Sequence, residues 1–480
     1  MELMAHQKED AAFLASKKFA GNFSGMGSGK TLSALEAINL LQLTPSDKVL
    51  IICPPIALHM WKEEYDRHCT GGSVIVTKRK GSQKANGGVG SGFDFSCRAF
   101  IMSYDIAVHR KELFTKLMPE KGFTRLSTPA PKLAVMICDE SHALKSHKAK
   151  RTVAILGKGG ICEFAEHSWL LTGTPQTRWN DDLFPFLCRA DNKGLRQRIG
   201  SVTMNKFQLQ YCATQERRFG NSQYKTRITV GNRNTDQLNK LIFNEDNPLA
   251  VRRTLQEVWD AMPPITNTRL VVDLAIDKEL GDLMGEYDGQ IATGIAKFGK
   301  NTDDLTNDLR RGDPALATIR RLLGLHKVCA VVGEIMRRHE DGLGPILVGA
   351  WHTEVIDRLL SLLSDNGLKV AVLDGRTSHK QKLTAQNLFN NGLLDVLVGQ
   401  IAAMGVSINL QKGGNRIIVA EEDWSPSVMD QFYGRLHRMG QKKPVHVDTI
   451  VSNTKIDKAI NRIASSKRRE HTRVLAQEVA

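Results

Sequence analysis

The sequence predicts an α/β chain built as two parallel-sheet lobes joined by a mostly helical, basic middle. Over the first 190 residues, short apolar runs alternate with amphipathic stretches, which is the pattern of βα units. The alternation fades between about 189 and 343 and then returns. In the first lobe, the runs at 49–53, 99–103, 133–138 and 169–172 read as strands buried on both faces. Helices are expected at 31–41 and 56–66, and the glycine-rich span 81–92 reads as a surface loop. In the second lobe, strands are expected at 346–349, 370–373, 396–398, 416–419 and 445–450, with helices at 354–363 and 380–389. Pro263-Pro264 and Gly342-Leu343-Gly344-Pro345 punctuate the middle. These signals divide the chain into a first lobe at 1–245, with its helical basic segment from about 190, a linker and helical protrusion at 246–342, and a second lobe at 343–480.

Composition narrows the class. With 41% hydrophobic and 24% charged residues, the 480-residue chain is that of a globular protein with more than one core. Charges near the start and the lack of any run approaching ~18 apolar residues argue against a secretory signal or a membrane span. An intracellular protein is expected, cytoplasmic in a prokaryotic or viral setting and nuclear in a eukaryote. The eight cysteines are scattered without a Cys-x-x-Cys pair, so neither a zinc site nor a disulfide framework is expected. A net charge of +15 suits a polyanionic partner, though a solvated surface would carry the same signature. The excess is uneven: 11 Lys/Arg stand against 4 Asp/Glu at 178–233, and 7 against 2 at 455–473.

Two stretches carry chemistry. Ser24-Gly25-Met26-Gly27-Ser28-Gly29-Lys30-Thr31 leads into a helix of good formers. Its glycines let backbone N–H groups turn toward a phosphate, Lys30 can reach the terminal phosphates, and the Thr31 hydroxyl can ligate Mg²⁺. The first position of the full phosphate-loop pattern wants glycine and here is Ser24. The second stretch, Leu133-Ala-Val-Met-Ile-Cys-Asp139-Glu140-Ser141-His142, ends an apolar run in two carboxylates. Asp139 is expected on Mg²⁺ and Glu140 on the attacking water. The alternative is an acidic pair capping the next helix. A third stretch, Gln431-Phe-Tyr-Gly434-Arg435-Leu-His437-Arg438-Met-Gly440-Gln441, offers two guanidinium groups spaced i, i+3, expected on one helix face; a plain basic amphipathic helix would share the pattern.

Taken in order, these and further segments resemble the Swi/Snf-type DNA translocases of helicase superfamily two. Leu3-x-x-His6-Gln7 resembles the family's opening motif, and Gly27-x-Gly29-Lys30-Thr31 its phosphate loop. Ile52-Cys-Pro54-Pro55 through Trp61-x-x-Glu64, Met102-Ser103-Tyr104-Asp105 and Asp139-Glu140-Ser141-His142 follow. Leu171-Thr172-Gly173-Thr174-Pro175-Gln176 with Trp179-Asn180-Asp181-Asp182-Leu183 resembles the coupling motif. Arg252-Arg253-Thr254, Met262-Pro263-Pro264 and Leu373-Asp374-Gly375-Arg376-Thr377 lead to Met404-Gly405-Val406-Ser407-Ile408-Asn409-Leu410. After Asp423-Trp424-Ser425-Pro426 comes the arginine motif, Gly434-Arg435-x-His437-Arg438-x-Gly440-Gln441. The box reads Asp-Glu-Ser-His rather than the usual Asp-Glu-Ala-His or Asp-Glu-Gly-His, and the fifth motif is similar to the annealing-helicase-like branch, as in a compact bacterial or viral member.

The resemblance implies two RecA-like lobes and an ATP hydrolase with ATP and Mg²⁺ as its cofactors. It implies ATP contacts from Gln7, Gly25, Met26, Gly27, Ser28, Gly29, Lys30, Thr31 and Gln441, and Mg²⁺ contacts from Thr31 and Asp139. Catalysis falls to Lys30, Asp139, Glu140, Arg435 and Arg438. Nucleic-acid contact or coupling falls to Pro54, Pro55, Ser103, Tyr104, Thr172, Gly173, Thr174, Gly405, Ser407 and Asn409. The implied partner is double-stranded DNA, tracked by a monomer without regard to sequence, and the basic middle and tail become candidate DNA contacts. Rival readings are an unwinding, strand-annealing or RNA-directed helicase, and a nucleotide-gated DNA clamp with little turnover. Trp351 and His352, after a second-lobe strand, suit either a base-stacking role or aromatic packing.

Overall fold

A computed structural model describes residues 3–77, 96–116, 132–177, 179–218, 225–259, 262–278, 280–282, 284–285, 314–404, 408–423, 425–454 and 457. The expected loop at 81–92, Arg178, Gly405, Ser407 and all of the basic tail at 455–473 except Asp457 lie outside these residues. Two compact units divide at Val258 and Trp259.

The first unit is a seven-stranded sheet in the order β3-β4-β2-β5-β6-β1-β9, with every pairing parallel. Its strands are β1 (Phe19–Asn22), β2 (Asp47–Cys53), β3 (Ser73–Val76), β4 (Ala99–Ser103), β5 (Lys132–Asp139), β6 (Ala165–Leu171) and β9 (Ala250–Val251). Val49, Leu50, Ile51 and Ile52 of β2 are all fully buried, as an apolar run without alternation requires when helices cover both faces. Those helices include α1 (Ala5–Ser16), α2 (Lys30–Leu40), α3 (Leu58–His68), α4 (Tyr104–Lys116), α5 (Lys150–Leu156) and α6 (Phe184–Ala190). Then follow α7 (Asn192–Ile199), α8 (Met204–Tyr211), the antiparallel hairpin of β7 (Cys212–Arg218) and β8 (Lys225–Asn232), α9 (Thr235–Ile242) and α10 (Leu255–Val258). The first unit runs past the expected boundary at 245 because β9 pairs with β1 and closes the sheet edge.

The second unit is a six-stranded sheet in the order β10-β15-β14-β11-β13-β12, again parallel throughout. The strands are β10 (Ile265–Val272), β11 (Ile346–Ala350), β12 (Val370–Leu373), β13 (Val396–Gln400), β14 (Arg416–Val419) and β15 (Val445–Ser452). The period of two along β11 sends Leu347 into one core and Ile346 and Val348 into the other, so both faces are filled. The helices are α11 (Pro314–Glu340), α12 (Thr353–Asp365), α13 (His379–Asn390), α14 (Ile401–Met404) and α15 (Pro426–Tyr433). Val355, Ile356, Leu359 and Leu363 make the buried stripe of α12. The middle of the chain is therefore less purely helical than expected. It supplies the β7–β8 hairpin to the first unit and an eight-residue edge strand, β10, to the second.

Two buried carboxylates tie helices of the second unit to their surroundings. Glu421, just beyond β14, accepts the backbone N–H groups of Trp351 and His352 at 2.9 Å each and meets His352 Nδ1 at 2.6 Å. Burial pushes its carboxyl up, but the His352 ring and the two amides more than offset this and hold it below the usual range. His352 is the N-cap of α12, so this carboxylate sits on the positive end of that helix. Trp351 is half-buried, with the Arg320 guanidinium 5.9 Å from its ring; packing describes it better than an open stacking platform.

The second carboxylate lies at the seam between α11 and the sheet. Val328, Val331 and Ile335 pack on it, and Arg338 reaches Asp448 of β15 at 2.6 Å with both side chains over nine-tenths buried. Arg338 also meets Glu334 at 2.7 Å, so losing Asp448 removes one of its two carboxylate partners. Asp448→Ala should therefore lower the stability of the second unit by about 1–3 kcal/mol, read as a shift in its denaturant midpoint. A double replacement, Arg338→Met with Asp448→Leu, should recover most of that loss.

Candidate nucleotide site

Strand register brings the chemistry of the first unit to one edge. Asn22 of β1 pairs with Leu171 of β6, and Leu171 pairs with Asp139 of β5. The loops that follow these three adjacent strands thus leave the sheet at the same level, at the carboxyl ends where open α/β sheets bind ligands.

After β1 the chain makes the phosphate loop. Gly27 and Gly29 have φ of 80° and 85°, the left-handed region that favours glycine, and Lys30 opens α2. The Lys30 ammonium lies inside the loop, donating to the carbonyls of Ser24 at 2.7 Å and Gly25 at 2.9 Å. A side chain at Gly29 would collide with the Gln7 amide, because α1 packs against this turn, with His6 Nε2 2.9 Å from the Ser28 carbonyl. Gln7 is thereby held beside the loop, its Oε1 accepting the Met4 N–H at 3.0 Å.

Ser24, the departure from the usual glycine, has a role the sequence pattern hides. Its hydroxyl accepts the backbone N–H of Arg253 at 3.1 Å, while Gly25 N–H donates to the Arg253 carbonyl at 2.7 Å. The Arg253 guanidinium meets Asp10 at 3.3 Å and Glu9 at 2.6 Å, and Asp10 accepts from Asn22 at 3.2 Å. Asn22 closes the ring by accepting the Ser24 N–H at 3.1 Å. The loop is stitched to the stretch leaving the first unit by groups 229 residues apart in sequence.

The Asp-Glu box is held from three sides. Trp61 donates its indole N–H to Asp139 Oδ2 at 2.7 Å, and the Tyr104 hydroxyl donates to the Asp139 carbonyl at 2.7 Å. Burial, then the charge of Glu140, push the Asp139 carboxyl above its ordinary value, against the Trp61 hydrogen bond and the Lys30 ammonium. Glu140 has φ 50° and ψ 48°, a left-handed conformation that costs a non-glycine residue about 1–2 kcal/mol. His142 Nδ1 lies 3.2 Å from Glu140 Oε2 and 3.3 Å from Thr172 Oγ1, which also accepts the Thr174 N–H at 3.1 Å. Gly173 lies against Met26 and Lys30; a Cβ there would stand 3.2 Å from Met26 Cγ and 3.6 Å from Lys30 Nζ. Trp61, Tyr104, His142, Thr172 and Gly173 thus converge on the two stretches that carry the chemistry. Of the remaining expected contacts in this unit, Pro54 and Pro55 follow β2 and Ser103 ends β4, whose Oγ accepts the Ile106 N–H at 3.4 Å.

In the second unit the arginine segment differs from expectation. Arg435 and Arg438 do not share a helix face: α15 ends at Tyr433 with Gly434 as its C-cap, and both arginines follow in tight turns. Arg435 is buried and donates to the carbonyls of Gln431 at 3.0 Å and Ile408 at 3.2 Å. Arg438 donates to the Asn409 carboxamide, and burial lowers its pKa. Gln441 donates to the Gly414 and Leu436 carbonyls and accepts from the N–H groups of Lys442 and Lys443, so its amide holds this turn in shape. His437 Nε2 meets the Pro263 carbonyl at 2.9 Å.

Ser24 gives a test of the loop's construction. Ser24→Gly restores the usual pattern yet removes the acceptor of the Arg253 N–H, so it should destabilise the first unit by about 1–2 kcal/mol in denaturant titration. A silent substitution would mean that the stitch contributes nothing.

Comparison with known proteins follows the same division. The SNF2-related domain matches residues 6–279, more than half of the chain, and the Helicase conserved C-terminal domain matches residues 326–440. A Caenorhabditis elegans SWI/SNF-related matrix-associated actin-dependent regulator of chromatin subfamily A-like protein 1 homolog is 25% identical over 90% of this chain and 56% of its own length. The Bos taurus DNA annealing helicase and endonuclease ZRANB3 is 24% identical over 90% of this chain and 36% of its own. The chain thus spans about half and about a third of these two relatives. The Sulfolobus solfataricus SWI2/SNF2 ATPase core in complex with dsDNA aligns with 99% of this chain and 93% of that one, at 16% identity and a TM-score of 0.40. With the SNF2-related domain matched over more than half of its length and the helicase C-terminal domain following in order, the chain belongs to the SNF2-related family.

Proposed function

We propose that this protein is an ATP-driven motor that moves along duplex DNA, or remodels DNA or DNA-bound protein. The observation that carries the reading is the convergence on Asp139 and Glu140: Trp61, Tyr104 and Thr172 come from segments that the family resemblance assigns to nucleic-acid contact or coupling, and all bear on the carboxylates assigned to hydrolysis, Thr172 through His142 of the Asp-Glu box itself.

In this reading the phosphate loop, α2 and Lys30 hold the triphosphate, with Gln7 beside the base. The residues present fit Mg²⁺: the Thr31 hydroxyl and the Asp139 carboxylate are hard oxygen donors, one on the first turn of α2 and one at the end of β5. When bound, the ion neutralises charge on the phosphates. Glu140 orients and deprotonates the attacking water, and the His142 ring fixes its carboxylate. Arg435 and Arg438 are assigned to charge developing on the transferring phosphoryl group. Pro54, Pro55, Ser103, Gly173, Thr174 and Asn409 are assigned to the DNA backbone, whose phosphates carry no base identity.

The test is phosphate release with and without duplex DNA, set beside single strands and RNA. Duplex should raise turnover of the wild-type protein. Lys30→Ala should abolish it, Arg438→Ala should lower it on the order of 10³-fold, and Glu140→Gln should still bind ATP and DNA without turnover. Stimulation by RNA alone would replace the substrate; turnover indifferent to every nucleic acid would favour the clamp.

A further inference from the structure

The hairpin of β7 and β8 belongs to neither large sheet, yet it is anchored more deliberately than a surface excursion needs. Asn232, at the end of β8, presents its Oδ1 to the Asn180 N–H at 2.8 Å and to Gln176 Nε2 at 3.3 Å. Asn180 is fully buried, and its Nδ2 donates to the carbonyl of Tyr211, just before β7, at 2.7 Å and to that of Arg233, just after β8, at 3.1 Å. Gln176 also donates to Asn180 Oδ1 at 3.1 Å. Both legs of the hairpin are therefore bolted to the segment that follows β6. Higher up, Thr229 of β8 donates to Asp181 at 2.7 Å, and Gln208 of α8 donates to Thr229 at 3.0 Å.

The anchored segment is the one that reaches the carboxylates. From Gln176 the chain runs back to Thr174, whose N–H donates to Thr172 Oγ1; Thr172 meets His142, and His142 meets Glu140. A short continuous path of polar contacts and backbone joins the hairpin root to the residue assigned to the water. Every step lies within the first unit.

Charge says what the hairpin region meets. Of the four acids at 178–233, Asp181 is engaged by Thr229, Asp182 by the N–H and hydroxyl of Thr177 at 2.9 and 2.8 Å, and Asp191 by the N-terminal amide of Gly194 at 2.9 Å. Lys193, Arg196, Arg198, Lys206, Lys225 and Arg233 are exposed. They stand on α7, α8 and the hairpin, elements that pack in succession. With most of the acids turned to internal donors, the outward field is positive, as a phosphate backbone requires.

We propose that α7 and the β7–β8 hairpin form a further surface for the backbone of duplex DNA, and that Asn232 is the positioning residue through which its engagement reaches Glu140. This rests on the motor reading above. The surface supplies affinity without base contacts, and the Asn232 anchor converts its occupancy into turnover.

The experiment uses the full chain, with phosphate release measured with and without a random-sequence duplex and duplex affinity measured at several salt concentrations. Arg196→Glu with Arg198→Glu should weaken duplex binding about tenfold and flatten its salt dependence. Asn232→Leu should leave basal turnover and duplex affinity within about twofold but cut stimulation by duplex about tenfold. Asn232→Asp, which keeps the acceptor, should retain stimulation, whereas a merely structural anchor would make Asn232→Leu lose basal and stimulated rates together. Wild-type-like stimulation in Asn232→Leu overturns the positioning role, and unchanged affinity and salt slope in the α7 variant overturn the surface. A wild-type protein that duplex does not stimulate overturns the motor reading itself, before either variant is compared.

Discussion

A parallel sheet covered on both faces admits charge inside its strands only beside a buried partner, as Asp448 has in Arg338; elsewhere charge collects at the strand ends. In the first unit β2, β5 and β6 are almost wholly buried, and their carboxylates stand at or next to their ends. Asp139 stands at the last position of β5, where burial is offset by an indole N–H and the peptide N–H of Glu140. From this one constraint the rest follows. The phosphate loop must leave β1 at the same edge, the stretch holding Thr172 must leave β6 there, and the aromatic groups that steady Asp139 come from the helices that follow β2 and β4 on its other side. The site is the edge of the sheet, furnished by whichever segments the strand order brings there.

That edge is also where local strain collects. Glu140 holds a left-handed backbone without being glycine, and Gly27 and Gly29 take the same region where no side chain opposes it. The difference is informative. Glycine lets the loop adopt its shape freely, whereas Glu140 is forced into its shape by the strand before it and the 3₁₀ turn after it. Such a conformation fixes where the side chain leaves the backbone, and the His142 ring lies 3.2 Å from where it ends.

Much of this was legible in the sequence, and the reason is contiguity. The phosphate loop and the Asp-Glu box each place their chemistry within a few residues, and the buried strands announce themselves as unbroken apolar runs. What was not legible depends on partners far apart. Ser24 reads as a defect in a motif until Arg253 is found beside it, and Trp61 reads as a motif residue with no stated role until its N–H is seen on Asp139, 78 residues on. The hairpin escaped because Gln215, Glu216, Arg217 and Arg218 show no apolar alternation; its anchor is polar, made by Asn180 and Asn232. The arginine turn was misjudged for a local reason: Gly434 ends α15 one residue before Arg435, and spacing alone cannot tell a helix from the turns that succeed it.

The carboxylate of Glu421 has a meaning that its own surroundings do not exhaust. In both units a strand runs into a loop and then a helix whose leading amides attract negative charge. In the first unit that attraction is directed outward from a glycine-rich turn. In the second, the corresponding helix already holds an anion of the protein's own making, joined to it by two amides and a histidine. The same strand-loop-helix arrangement thus meets a glycine-rich turn in the first unit and the chain's own carboxylate in the second.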